Sequence, residues 1–303
     1  MNRQQTVLEH VVASSRKLAP KSKQQYLRRV RDYLDFAGTA VRGWTAASLE
    51  AWRNHLLDER DIKPKSANLY MAAVIFASRR MEELGLGRNF AKGAERVRVE
   101  ASTELPKKKS LTLVQARKLV GATWRRDPVS MRDRAMFLVA LQSGFRRNEL
   151  VSIEFDMMQG GEITVLPKGG RELHTVRVGQ DAWSALGIWS GWLQRNDVEL
   201  SGRVFRRLRK SVDEQAPWTI GHSLSGDGFN RILKSRAEEA GLRVEVHPHM
   251  LRHTFTSIAL QSGVPLWRIK KALGHRGSVT EDYISDLNET PIGDLMPSFL
   301  EAA

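Results

Sequence analysis

The chain has 303 residues, enough for about two ordinary domains, each with its own core. Lys and Arg outnumber Asp and Glu by 48 to 34, a formal charge of +14, which attracts polyanions such as nucleic acid and makes that binding salt-dependent. With no cysteine, disulfides and thiolate metal sites are excluded; no apolar run is long enough to span a membrane, and Met1-Asn2-Arg3-Gln4-Gln5 lacks the apolar core of a signal peptide, so a cytoplasmic, nucleoid-associated protein of bacterial or mobile-element type, without membrane contact, is expected.

Residues 1–100 read as helices. Leu18-Ala19-Pro20-Lys21-Ser22 breaks the chain, and beyond it Tyr26, Val30, Tyr33, Leu34 and Phe36 recur at helical spacing, with Arg28, Arg29 and Arg31 on the other face. Another helix is expected over 45–58, with Leu49, Trp52 and Leu56 apolar, and a further one over 66–84, carrying Leu69, Ala72, Ile75, Phe76 and Met81. This small basic unit looks like a clamp for DNA. Segment 101–110 has no apolar periodicity and contains Lys107-Lys108-Lys109, which marks it as a linker.

A second unit follows over 111–290. Helical patterns appear at 113–123, 131–141, 182–193, 228–240, 250–261 and 265–272, while 161–178 alternates like strands on either side of Lys168-Gly169-Gly170, the mark of a hairpin. After Pro291, Ile292, Leu295, Met296, Phe299 and Leu300 form an apolar stripe on a tail, 291–303, too short to be stable alone, so it must be buried somewhere. The fold expected is mainly α: an all-helical N-terminal domain and a mainly helical second domain with a small antiparallel β-sheet. Gly144 and Gly169-Gly170 lack the glycine spacing and the Lys-Ser/Thr of a phosphate-binding loop, so ATP use is not expected, and neither is any other cofactor or metal.

The residues with chemistry cluster late in the chain. Tyr283 is the only tyrosine after Tyr70, eight residues past His275 and thirty-one past Arg252. A phenol so placed is a candidate nucleophile for a phosphodiester. The attacked phosphorus gathers negative charge on its non-bridging oxygens and needs fixed positive donors, which the guanidinium fork supplies best. Tyrosine is a poor nucleophile at its ordinary pKa near 10, so a neighbouring base or positive site must help remove its proton, and histidine suits that task.

The motifs in this order resemble those of the tyrosine recombinases or phage-type integrases, the Xer, Cre and lambda-integrase groups, over almost the whole chain. Ser143-Gly144-Phe145-Arg146-Arg147-Asn148-Glu149-Leu150 is similar to the family's Thr-Gly-Leu-Arg-x-Ser-Glu-Leu box; Pro248-His249-Met250-Leu251-Arg252-His253 matches its Pro-His-x-Leu-Arg-His; Leu273-Gly274-His275 matches its Leu-Gly-His turn. The resemblance makes Arg146 and Arg252 the two phosphate clamps, Glu149 a supporting acid, His249 an acid/base and hydrogen-bonding group, and His275 a hydrogen-bond donor to the phosphate. Lys168 becomes the proton donor to the leaving 5′ oxygen, and Tyr283 the nucleophile. His249 and Arg252, three apart, share one helical face. Arg147 reads as a surface or DNA-backbone residue, and His253 and His247 as buried structural histidines. The stretch from His275 to Tyr283 is one residue shorter than the commonest family spacing.

The resemblance implies a site-specific DNA recombinase acting on double-stranded DNA with paired recombination sites. It would be a homo-tetramer on DNA, working through a 3′-phosphotyrosyl intermediate and a Holliday junction in integration, excision or resolution. It also suggests that the C-terminal stripe docks on a neighbouring protomer, packing back on its own domain being the alternative. Two rival functions are a type IB topoisomerase-like relaxation of supercoils, which would share the nucleophile and the arginines, and a catalytically inactive DNA-binding accessory protein, which would have no need of the full residue set.

Overall fold

A computed structural model describes residues 6–94, 110–167, 172–211, 218–274 and 292–300. The chain divides into two compact units, Met1–Leu105 and Pro106–Ala303. The segment expected as a linker lies, except for Ser110, outside the described residues.

The described part of the first unit is helical: α1 (Val7–Ala13), α2 (Pro20–Ala37), α3 (Ala46–Asn54), which runs on into a π-helical turn at His55–Glu59, and α4 (Pro64–Glu83). Local chemistry sets the boundaries. Thr6 with Glu9 and Thr45 with Ser48 form reciprocal caps, and Pro20 and Pro64 occupy first-turn positions where no amide hydrogen is required. Leu8, Val11, Val30, Tyr33, Leu34, Trp44, Leu49, Trp52 and Leu56 pack into the core, and the Tyr33 hydroxyl bonds Ser48 Oγ at 2.7 Å. Helix α4 is turned relative to the expected face. Its buried residues are Ala67, Met71, Ala73, Val74, Ala77, Ser78 and Met81, whereas Leu69 is 51% exposed. The alanine-bearing side faces α1 and α2, because small residues allow closer helix packing than leucine would. Phe36, expected on the apolar face of α2, is also exposed and lies against the His55 ring.

The second unit is built around α6 (Pro128–Ser143), which is buried on almost every side. It is preceded by α5 (Leu113–Gly121) and followed by a short α7 (Arg147–Val151), and α8 (Gln180–Arg195) packs along it. Strands β1 (Met158–Gln159), β2 (Glu162–Val165) and β3 (His174–Arg177) form an antiparallel sheet in that order. Val165 pairs with His174 and Ile163 with Val176; Ile163, Val165 and Val176 point into the core, as the alternation over 161–178 implies. A second hairpin, β4 (Arg206–Lys210) and β5 (Trp218–Ser223), has no counterpart in the sequence reading. Then come α9 (Gly226–Glu239), α10 (Pro248–Gln261), α11 (Leu266–Ala272) and α12 (Ile292–Leu295).

Of the C-terminal stripe, Ile292, Met296 and Phe299 belong to the core of this chain's second unit. The backbones of Gly179 and Gly293 meet so closely that a Cβ on Gly293 would lie 2.4 Å from the Gly179 nitrogen. Asp294 Oδ1 accepts from Gln180 N at 2.8 Å, capping the first turn of α8, and Ser298 receives Arg117 Nε on its carbonyl at 2.9 Å. Replacing Phe299 with alanine should lower stability in urea unfolding by about 3 to 5 kcal/mol, the usual range for a buried phenylalanine. A loss below about 1 kcal/mol would contradict burial of the tail in its own core.

Candidate active site

The site begins where α6 stops. Gly144 ends that helix with φ of 66°, and a Cβ there would lie 2.6 Å from the Phe255 ring and 2.8 Å from Leu273 Cδ2. Only glycine fits both the left-handed turn and the close approach. Phe145 is buried next, and Arg146 emerges as the residue that opens α7. Glu149, one helical turn on and 4% exposed, accepts from the Arg146 backbone N–H at 2.7 Å and from Arg146 Nη1 at 3.0 Å. One carboxylate therefore caps the helix and fixes the direction of the guanidinium.

The second part comes from the start of α10. His247 caps it, its Nδ1 accepting from Met250 N at 3.2 Å, and Pro248 takes the first helical position. His249, Arg252 and His253 follow at helical spacing, and the rings of His249 and His253 meet edge to face with centroids 4.7 Å apart. Arg252 is 6% exposed; Nη1 donates to the Gly144 carbonyl at 2.7 Å and Nη2 to the Leu273 carbonyl at 2.8 Å. It thus ties the start of the Arg146 box to the turn at Leu273-Gly274.

Charge follows burial. The pKa of Arg252 is pushed down to about 10, first by burial and then by Arg146, with Glu149 opposing, so the guanidinium stays charged at neutral pH. Burial also lowers His249, and His253, Arg252, His247 and Arg146 add to the effect. Both causes favour the neutral imidazole.

Arg146, Arg147, Asn148, Glu149, His247 and His249 line one cavity of about 610 Å³, which Leu166 and Asn230 help enclose. Of the expected site residues, Arg146, Glu149 and His249 meet at this cavity, and Arg252 is electrostatically linked to it. Lys168, His275 and Tyr283 lie outside the described residues. His247 departs from the buried structural role expected of it, being an exposed helix cap on the cavity wall; His253 is half-buried. Arg147 pairs with Asp227 in the first turn of α9 at 3.0 Å.

His174 was not singled out in the sequence. Its Nε2 lies 2.9 Å from the Ala272 carbonyl, its ring stands edge-on to Phe145, and Gly274 passes against it. A carbonyl only accepts, so Nε2 carries the hydrogen. The bond joins β3 to the end of α11, 98 residues away in sequence, a separation that no local pattern reveals.

Residues 109–289 match the model of the phage integrase family. The chain belongs to that family, the tyrosine recombinases. It is 25% identical over 300 residues to tyrosine recombinase XerD of Halalkalibacterium halodurans, covering 96% of this chain and 95% of that protein. A lambda integrase tetramer bound to a Holliday junction superposes with a TM-score of 0.65 at 16% identity, covering 94% of this chain and 78% of that one. XerH site-specific recombinase bound to its difH substrate gives 0.63 at 18%, covering 91% and 80%. At such identities these structures establish the recombinase fold, mainly helical with small antiparallel sheets.

In this recombinase the histidine cluster gives a direct check of the geometry. Since the charge on His253 helps to lower His249, His253→Gln should move the His249 midpoint upward toward 6.5 in an NMR titration. An unchanged midpoint would mean that the two rings do not face each other.

Proposed function

We propose that the chain is a site-specific DNA recombinase that cleaves and rejoins double-stranded DNA at paired recombination sites, acting in the cytoplasm as a homo-tetramer on DNA. The observation that carries this reading is the meeting of Arg146, Glu149 and His249 at one electropositive cavity, with the Arg252 guanidinium fixed behind it.

The chemistry follows from that arrangement and from the motif order. Tyr283 Oη attacks the scissile phosphorus while a histidine, His249 being held neutral for the purpose, receives the phenolic proton. Arg146 and Arg252, with His275, stabilise the charge that gathers on the non-bridging oxygens. The P–O5′ bond breaks, and Lys168 supplies the proton to the leaving 5′ oxygen. The product is a 3′-phosphotyrosyl bond and a free 5′ hydroxyl. Because the phosphodiester linkage is exchanged for another ester, a 5′ hydroxyl from a second duplex can reverse the step without ATP. Two rounds exchange strands through a Holliday junction. Glu149 acts through Arg146, holding the guanidinium in line.

A nicked suicide duplex, whose cleaved fragment diffuses away, tests the assignment. Wild-type protein should accumulate as a covalent DNA adduct, and Tyr283→Phe, which removes a single oxygen, should bind the duplex but form none. Lys168→Ala should regain adduct formation when the bridging 5′ oxygen is replaced by sulfur, which leaves without a proton. Adduct from the Phe variant at normal yield would exclude Tyr283 as nucleophile, and failure of the sulfur substrate to rescue would move Lys168 to a binding role.

A further inference from the structure

Hairpin β4–β5 concentrates cations without acids. Several arginines of the same unit meet acids: Arg146 with Glu149, Arg147 with Asp227, Arg203 with Glu154, and Arg236 with both Asp133 and Glu239. Strand β4 reads Arg-Arg-Leu-Arg-Lys, and neither it nor β5 contains an acid. Arg206 is occupied locally, donating to the carbonyls of Glu199, Ser201 and Arg203. Arg207, Arg209 and Lys210 are exposed and make no ion pair among the described residues.

The pleat sorts these side chains. Leu208 pairs with Ile220, and both pack against the core, so Arg209, paired with Thr219, projects from the opposite face; the register shifts between Arg206 and Leu208, and Arg207 is exposed there. Gly221 lies beside Arg207, and a Cβ on it would stand only 3.6 Å from Arg207 Cβ. The outer face is therefore a row of long cations next to a low strip of Thr219 and Gly221. Glycine at such a place suits close approach of another backbone. Protection of exposed strand edges does not account for this distribution. Both strands of a two-stranded sheet are edges, yet the Lys and Arg side chains are all on β4, and Thr219 and Gly221 beside them on β5 are small and uncharged.

The hairpin also starts beside the site. From β5 the chain passes through Leu224 to Ser225, which caps α9, and the next residue, Gly226, abuts Arg147 and Asn148 on the cavity wall. Five residues of strand reach about 17 Å, the rise of about five base pairs.

We propose that the solvent face of β4–β5 is a second DNA contact, in which Arg207, Arg209 and Lys210 hold the sugar-phosphate backbone of the duplex beside the cleavage site. This rests on the reading of the chain as a DNA recombinase. The contact is to phosphates, so it is independent of sequence and carried by charge.

The test is the salt dependence of binding, measured by fluorescence anisotropy of the full-length protein on a labelled duplex of arbitrary sequence. Each phosphate contact contributes about one unit to the slope of log K against log salt, so Arg207→Ala/Arg209→Ala should reduce the slope by about two. Arg207→Lys/Arg209→Lys should retain it, and both variants should melt like wild type. A wild-type slope in the alanine variant would overturn the proposal and leave the cations as edge guards or as a contact for an acidic protein. An equal loss in the lysine variant would also overturn it, since charge would then not be what carries the contact. Wild-type protein that binds no duplex would instead remove the DNA reading itself, and the hairpin contact with it.

Discussion

The guanidinium of Arg252 is the interaction on which the site depends. A buried cation is costly unless its hydrogen bonds are satisfied, and here two go to backbone carbonyls from distant parts of the chain, Gly144 and Leu273. Those carbonyls close the two turns that lead into Arg146 and toward His275. The turns could not come so close without Gly144, whose missing side chain leaves room for Phe255 and Leu273. Backbone geometry and a buried positive charge are thus set by the same residue. Its positive charge also adds to burial and to His253 in lowering the pKa of His249.

Around this centre two further contacts divide the work of positioning. Glu149 is buried, directs Arg146, and neutralises part of its charge at close range. His174 joins the sheet to the end of α11 from the other side, against Phe145. Strand β3 is thereby tied to the same turns that Arg252 secures. Phosphoryl transfer without covalent help from a cofactor depends on such preorganised positive groups, because they need not reorganise as charge develops.

Much of this was legible in the sequence where the controlling interaction is local. Arg146 and Glu149 are carried by the motif that resembles the family's, and His249 and Arg252, three apart, share one helical face. The β2–β3 hairpin shows in its alternation. What escaped the reading depends on long-range contacts. The face of α4 is chosen by close packing on α1 and α2, which favours its alanines over Leu69. The β4–β5 hairpin hides because Arg-Arg-Leu-Arg-Lys contains a single apolar residue and so lacks a strand's alternation. The tail's place in its own core depends on two glycines, Gly179 and Gly293, far apart in sequence.

Hydrogen exchange on Arg252→Lys tests the central role of the guanidinium most directly. A lysine keeps the charge but, as a point donor on a flexible stem, does not span two carbonyls as the planar fork does. The amides of Gly144, Phe145, Leu273 and Gly274 are all hydrogen-bonded in the folded chain. In the variant both turns should exchange faster together, while amides in the middle of α6 and α8 keep their protection. Wild-type protection at both turns, or loosening of one turn alone, would contradict the account.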